Sequence, residues 1–212
     1  MNNWEDIGIV VTSMPYGEKY KRVSILTRNH GLHNALANIN SVDKFTNFAK
    51  VCIRYMSRNN NSIGFWKLIN QDTNCINKLN THNRILVCQS ICFIVNKLLP
   101  QNVPNKDIYE FIDNLIRDVL MFSDTEILLA YVYFELFLIS KVGFKILQLN
   151  VEITQNMNHI KDIISSEQFK NICFNILKIT SNIVNDNLSN IDNFYRTEIS
   201  KLINGFVTTS HT

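Results

Sequence analysis

The sequence predicts an α+β protein: a small antiparallel β-barrel at the N-terminal end, followed by an all-α domain. Three observations carry this reading. Up to about residue 70, apolar residues recur at every second position, the period of a half-buried strand. From about residue 79 they recur at every third and fourth position, the period of a helix. The stretch 124–142 is apolar nearly all round, as in a helix at the centre of a domain. The expected organisation is 1–75 for the barrel, 76–206 for the helical domain and 207–212 for a disordered tail.

The first strand is expected over 7–12, where Ile7, Ile9 and Val11 alternate with Gly8, Val10 and Thr12. Trp4, in the lead-in before it, is placed to cover an open barrel edge. A turn at 14–17 holds Pro15 and Gly17. The second strand, 20–28, sets Val23 and Ile25 against Arg22, Ser24 and Arg28. Asn29, His30 and Gly31 form a hairpin loop, with Gly31 where a positive φ is needed, and 32–38 is the third strand. A fourth strand over 47–56 carries Ala49, Val51, Ile53 and Tyr55 on one face and Lys50 and Arg54 on the other; a fifth runs over 64–69. Five short strands in so few residues fit an OB-fold barrel, and strand pattern alone leaves an SH3-like barrel open.

The helical part reads as clearly. Residues 84–99 carry Ile85, Cys88, Ile91, Cys92, Val95 and Leu99 at helical spacing, and Pro100 and Pro104 end the helix. Asn105 is the expected cap of a second helix, with Ile108, Ile112, Leu115, Ile116 and Val119 inward. Ser123 opens a third, and Glu126 three residues on completes a capping box. Gly143 stops it. Further helices are expected from Ser166, with Phe169, Ile172 and Cys173 inward, and after Asn190.

Charge narrows the function. The chain has 212 residues and a net charge of +3, but residues 1–67 hold nine Lys/Arg against four Asp/Glu, and the remainder is slightly acidic. The positive charge therefore sits where the strands are, which suits a phosphate backbone. Cys52, Cys75, Cys88, Cys92 and Cys173 are odd in number and include no C-x-x-C, and no secretory signal is visible, so reduced thiols and a cytoplasmic, nucleoid-associated location are expected. No apolar run is long enough to cross a membrane.

The run GEKYKRVSILTRNHGLH at 17–33 resembles the start of the RecO family of bacterial recombination mediators. The likeness continues through SIGFWKLI (62–69), LLPQNVPNKDIYEFI (98–112) and YFELFLISKVGF (133–144), covers roughly the first 150 residues, and rests on the order and spacing of four unrelated patterns. It implies an N-terminal OB-fold, a helical domain and a non-enzymatic role: binding single- and double-stranded DNA, annealing strands, and loading recombinase onto DNA coated by single-strand DNA-binding protein. Single-strand DNA-binding protein, a RecR-type protein and recombinase are the implied partners.

Nine cations fall on the strands or their loops: Lys19, Lys21, Arg22, Arg28, Lys44, Lys50, Arg54, Arg58 and Lys67. Tyr16, Tyr20, Phe45, Tyr55, Phe65 and Trp66 are interleaved with them. Cations that track phosphates and rings on which bases stack make a single-strand groove. The same pattern also suits an ordinary solvated barrel face over an aromatic core, and Tyr55 and Trp66 read as core; the resemblance favours the groove. Relatives usually carry a basic, Gly-containing loop after the third strand, whereas this chain has Ala37-Asn38-Ile39-Asn40-Ser41, with Lys44 the only charge to substitute, so either weaker DNA affinity or a shift of contacts onto Arg54 and Arg58 is expected. In relatives a basic residue before Phe-Glu helps dock the tail of single-strand DNA-binding protein; here Val132 and Tyr133 precede Phe134 and Glu135, leaving Arg84, Lys97, Arg117 or Lys141 for that role. Gly17, Gly31, Phe134, Glu135 and Gly143 read as structural, Glu135 as a buried carboxylate that must be paired.

No nucleophile is matched to any of His30, His33, His82, His159 or His211, and neither a Gly-rich phosphate loop nor an H-E-x-x-H occurs, so no enzyme is expected. A protein-interaction adaptor built on the same barrel is the alternative. Many family members hold zinc through four cysteines after the central helix; this chain has no cysteine between Cys92 and Cys173, and Cys88 and Cys92, one turn apart, read as core. No cofactor or metal is therefore expected. The purified protein should contain no stoichiometric zinc, and a chelator should leave its Tm unchanged, because a structural zinc contributes directly to folding. One zinc per chain by elemental analysis would overturn that expectation.

Overall fold

A computed structural model of the chain describes residues 2–39, 45–58, 63–72, 79, 81–143, 197–199 and 201–202. The described elements are β1 (Asn2–Tyr16), β2 (Tyr20–Thr27), β3 (Gly31–Asn38), β4 (Lys50–Ser57), β5 (Gly64–Asp72), α1 (His82–Leu98), α2 (Lys106–Asp118) and α3 (Asp124–Lys141). The strands form a closed barrel in the order β1-β2-β3-β5-β4. The long β1 pairs with β2 on one side and β4 on the other, all antiparallel, and β3 meets β5 in parallel through Ala35↔Gly64 and Leu36↔Phe65 alone. This is the five-stranded OB-fold arrangement.

β1 begins earlier and ends later than its alternation indicates. Residues 2–6 pair with β4 and residues 13–16 with β2, and a bulge at Val11 lets one strand serve both partners. The barrel interior is filled by Val10, Val23, Ile25, Ala35, Ala37, Phe45, Ala49, Val51, Ile53 and Trp66, with Trp4, Tyr55 and Leu68 packed against them. Trp66 Nε1 donates to the Val23 carbonyl at 3.0 Å, which satisfies its one polar atom inside the barrel.

Two compact units result, and neither follows the expected boundary at residue 75. One comprises residues 1–79 with 92–117; the other comprises 80–91 with 118–212. The change from strand to helix is where the sequence places it, but α1 from Cys92 and α2 as far as Arg117 belong with the barrel. The contacts explain why. Asn102 N donates to Leu32 O at 2.9 Å, Gln101 bridges to Leu32, and Cys92 Sγ lies 3.8 Å from Val10 O. Gly31 has φ +79°, and a Cβ there would lie 1.9 Å from the Val103 carbonyl oxygen, so only glycine admits the 101–104 segment this close. Ile9, Leu26 and Leu32, which point out of the barrel, are consequently buried.

α1 opens on Thr81, whose Oγ1 accepts from Arg84 N at 3.4 Å. Cys88, Ile91, Cys92, Val95 and Leu99 are buried as expected; Ile85, also expected inward, is 42% exposed, and Leu86 and Val87 are buried beside them. Asn105 supplies the first carbonyl of α2 to Tyr109 N, but its side chain donates back to Val103 O at 2.8 Å. Every inward residue expected for α2 is buried. The Ser123–Glu126 capping box is present, and Gly143 follows α3 with φ +100°. The helices expected from Ser166 and after Asn190, and the tail 207–212, lie largely outside the described residues, where 197–199 and 201–202 are helical.

In α3 every side chain from 127 to 139 is buried, Phe134 and Glu135 included. No described helix is long and apolar enough to cross a membrane. Leu138 is fully buried, so Leu138→Ala is expected to cost roughly 2–5 kcal/mol, the usual penalty for a large-to-small change in a core. Urea denaturation of the two proteins checks this, and an unchanged midpoint would contradict the burial of α3.

Candidate nucleic-acid interface

The outer wall of the barrel has two halves. One half is covered by the helical segment of its own unit. The other half is open, and strand register assigns its residues. Side chains alternate across a strand, so the neighbours of the inward Val23, Ala37, Trp66 and Tyr55 point outward. Tyr20 and Arg22 lie there on β2, Leu36 and Asn38 on β3, Phe65 and Lys67 on β5, and Arg54 and Met56 on β4. Cross-strand pairs join them: Arg22↔Leu36, Leu36↔Phe65, Met56↔Phe65 and Arg54↔Lys67. The bulge at Val11 flips the alternation of β1, so Met14, opposite Arg22, and Tyr16, opposite Tyr20, extend the same face. Tyr16 is 49% exposed and Phe65 42%. Tyr20 and Phe65 meet edge to face with centroids 5.7 Å apart.

The nine sequence-selected cations therefore divide. Arg22 and Lys67 lie on the open face and are exposed, with Lys19 in the β1–β2 turn and Arg58 just past β4 at its margin. Lys21 is half-buried, on the side of β2 that carries Val23. Arg54 is on the open face but is paired with Glu5 of β1. Lys50 Nζ lies 2.6 Å from Asp113 Oδ1, and Arg28 Nη2 lies 3.5 Å from Glu110 Oε1. Both carboxylates stand on α2, so these two cations clasp the helix to the barrel rather than face solvent alone. Lys44 lies outside the described residues. Of the aromatic residues, Phe45 and Trp66 are core and Tyr55 is half-buried on the core, which leaves Tyr16 and Phe65 as exposed rings beside a half-buried Tyr20.

The basic residues considered for a partner tail are also accounted for. Arg84 donates from Nη2 to Phe122 O at 2.7 Å and from Nε to Val119 O at 3.3 Å, so it fastens the turn after α2. Arg117 bonds to Asn114 Oδ1. Lys97 sits over the Phe93 ring at 5.9 Å and Lys141 over Phe137 at 5.5 Å.

A second cluster braces the barrel. Trp4 stacks on His30 at 3.8 Å and on Tyr55 at 4.9 Å, with His33 at 5.1 Å and Trp66 at 5.8 Å. Trp4 is thus a member of an aromatic stack, not merely a cover on an edge. The buried Asp6 carboxylate accepts from Asn29 N at 2.8 Å and Asn29 Nδ2 at 2.9 Å and meets His30 Nδ1 at 2.9 Å, fixing the β2–β3 turn. Three or more His, Cys, Asp or Glu residues grouped to hold a metal ion are absent among the described residues.

The closed five-stranded barrel with one open, cationic and aromatic face defines an OB-fold protein. The family model for the N-terminal part of recombination protein O matches residues 1–63. DNA repair protein RecO of Ehrlichia chaffeensis is 28% identical over 145 residues, covering 66% of this chain and 58% of that protein. RecO of Wolbachia sp. subsp. Drosophila simulans is 26% identical over 145 residues (68% and 60%), and RecO of Anaplasma phagocytophilum 25% over 111 residues (51% and 45%). The chain thus spans between 45% and 60% of the length of these curated relatives. Over these residues it is similar to the RecO family.

Burial holds the His33 pKa below 6.5, and the nearby His30 lowers it further, against opposing effects of a backbone hydrogen bond at His30 and of Asp6. The unfolded chain protonates this ring near pH 6.5, while the folded chain resists. Stability should therefore fall as pH drops below about 6.5, toward the lower folded value. Urea midpoints at pH 7.5 and 5.5 should separate more for the wild type than for His33→Gln; equal separations would refute the burial effect.

Proposed function

We propose that this chain acts in DNA repair and homologous recombination as a mediator. It binds single- and double-stranded DNA through the open barrel face, promotes annealing, and helps recombinase replace single-strand DNA-binding protein. The role is one of binding, with no chemical step assigned to any side chain. The observation that carries this reading is the open face: exposed Arg22 and Lys67 beside Tyr16, Tyr20 and Phe65, on the half of an OB-fold wall that its own helices leave bare. The names of the relatives agree with it. A RecR-type protein, recombinase and single-strand DNA-binding protein are the proposed partners, with Lys97, Arg117 and Lys141 the more accessible cations for an acidic tail.

Phosphate contacts release counterions, so the logarithm of the binding constant for single-stranded DNA should fall linearly with log salt, by about 0.7 per phosphate neutralised. Arg22→Gln and Lys67→Gln should each flatten that slope by about one contact, while Arg28→Gln and Lys50→Gln, held by α2, should alter it less. Fluorescence anisotropy at several salt concentrations tests this. Absence of salt-dependent binding would favour the adaptor reading.

A further inference from the structure

The closure of the barrel leaves a slot. The β3–β5 ladder consists of two pairs, Ala35↔Gly64 and Leu36↔Phe65, and no ladder joins Ala37 and Asn38 to Trp66 and Lys67. Where it stops, a groove of about 480 Å³ opens, lined by Tyr20 and Asn38 on one side and Phe65, Lys67 and Ile69 on the other, with Met56 beside them. Phe65 and Ile69 are 42% and 52% exposed, so large apolar side chains stand bare at its rim. A solvated wall has no need of an exposed Phe set edge to face on a Tyr.

We propose that this groove is a slot for one unpaired base of a single-stranded nucleic acid. The proposal rests on the DNA-binding reading above and adds to it how single strands are told from duplexes. The lining fits a base better than an aliphatic chain or an acidic tail. Tyr20 and Phe65, in edge-to-face contact, form one aromatic wall that offers a π-face, and the Lys67 amine stands ready for the adjoining phosphate. Among the described residues no carboxylate lines the groove, and Arg22 lies two residues from Tyr20 on the same face. Base faces within a duplex are already stacked on their neighbours, so a ring-walled slot is useless to double-stranded DNA, which the cations alone can hold. The slot thus separates the two substrates by geometry, and the charges hold both.

The test compares Phe65→Ala, Phe65→Leu and Lys67→Gln with the wild type, using a thymidine oligonucleotide and a duplex of equal length in anisotropy titrations. Circular dichroism checks that each variant is folded, and Phe65→Leu keeps the apolar volume without the ring should the alanine variant fail. Loss of the ring should weaken single-strand binding roughly 5- to 150-fold, the worth of one stacked base, and leave duplex binding unchanged. Lys67→Gln should weaken both. Equal loss on both substrates, or no loss with Phe65→Leu, overturns the slot while leaving the basic face as a DNA site. If the wild type binds neither DNA, the DNA-binding reading itself falls, and the slot with it.

Discussion

The barrel is closed by two residue pairs, and that narrow closure depends on Gly64. The Tyr55 ring occupies the space beside it: a Cβ at residue 64 would lie 2.3 Å from the ring carbon Cε2. Any other residue there would have to expel Tyr55 from its stack with Trp4 and Trp66, or hold β5 away from β3. Because Gly64 lets β5 approach, Phe65 comes directly beside Leu36, and the short ladder then parts at Asn38 and Lys67. The aromatic brace inside the barrel and the groove outside it are thus two consequences of one close approach. A longer ladder would seal the groove; no ladder would leave the barrel with two free edges.

The second constraint is the acidic side of α2. Glu110 and Asp113 lie three positions apart on one helix face and meet Arg28 and Lys50 of the barrel. Half-exposed pairs of this kind contribute little to stability, of the order of 0–1 kcal/mol each. Their consequence is orientation: with Gln101 paired to Leu32 and Val103 seated on Gly31, they fix which half of the outer wall is covered. The same contacts that bury Ile9, Leu26 and Leu32 also define, by exclusion, the face left open to solvent.

Much of this was legible in the sequence because it rests on local rules. Period-2 alternation located β1, β2 and β4, the turns between them bounded β3 and β5, the Ser123–Glu126 box located the start of α3, and an apolar surround on every side foretold its burial. Gly31 and Gly143 carry the positive φ their positions require. What escaped was non-local. The bulge at Val11 reverses the facing of Met14 and Tyr16, and nothing in the local pattern marks it. The pairing of Lys50 with Asp113 spans 63 residues, beyond any spacing rule. Ile85 sits at a helical position that its neighbours Leu86 and Val87 fill equally well, so the burial of one and not the other was decided by packing. The compact units cut through α1 because residues 101–104 return to the barrel, and only the steric demand at Gly31 hints at that return.

These non-local contacts alter what the sequence charge means. Nine cations in the first 67 residues suggest one broad basic surface. Ion pairing removes Arg28, Lys50 and Arg54 from that surface as free charges, and Lys21 is drawn half inside. Among the described residues, what remains on the open face and its margin is Lys19, Arg22, Arg58 and Lys67, a few point charges set around rings rather than a continuous patch. Such an arrangement attracts a polyanion weakly at long range and rewards close contact only where a base can reach a ring. On the proposed DNA-binding reading, selectivity for an unpaired strand would need no loop of extra basic residues, in keeping with the plain Ala37-Asn38-Ile39 run at the end of the third strand.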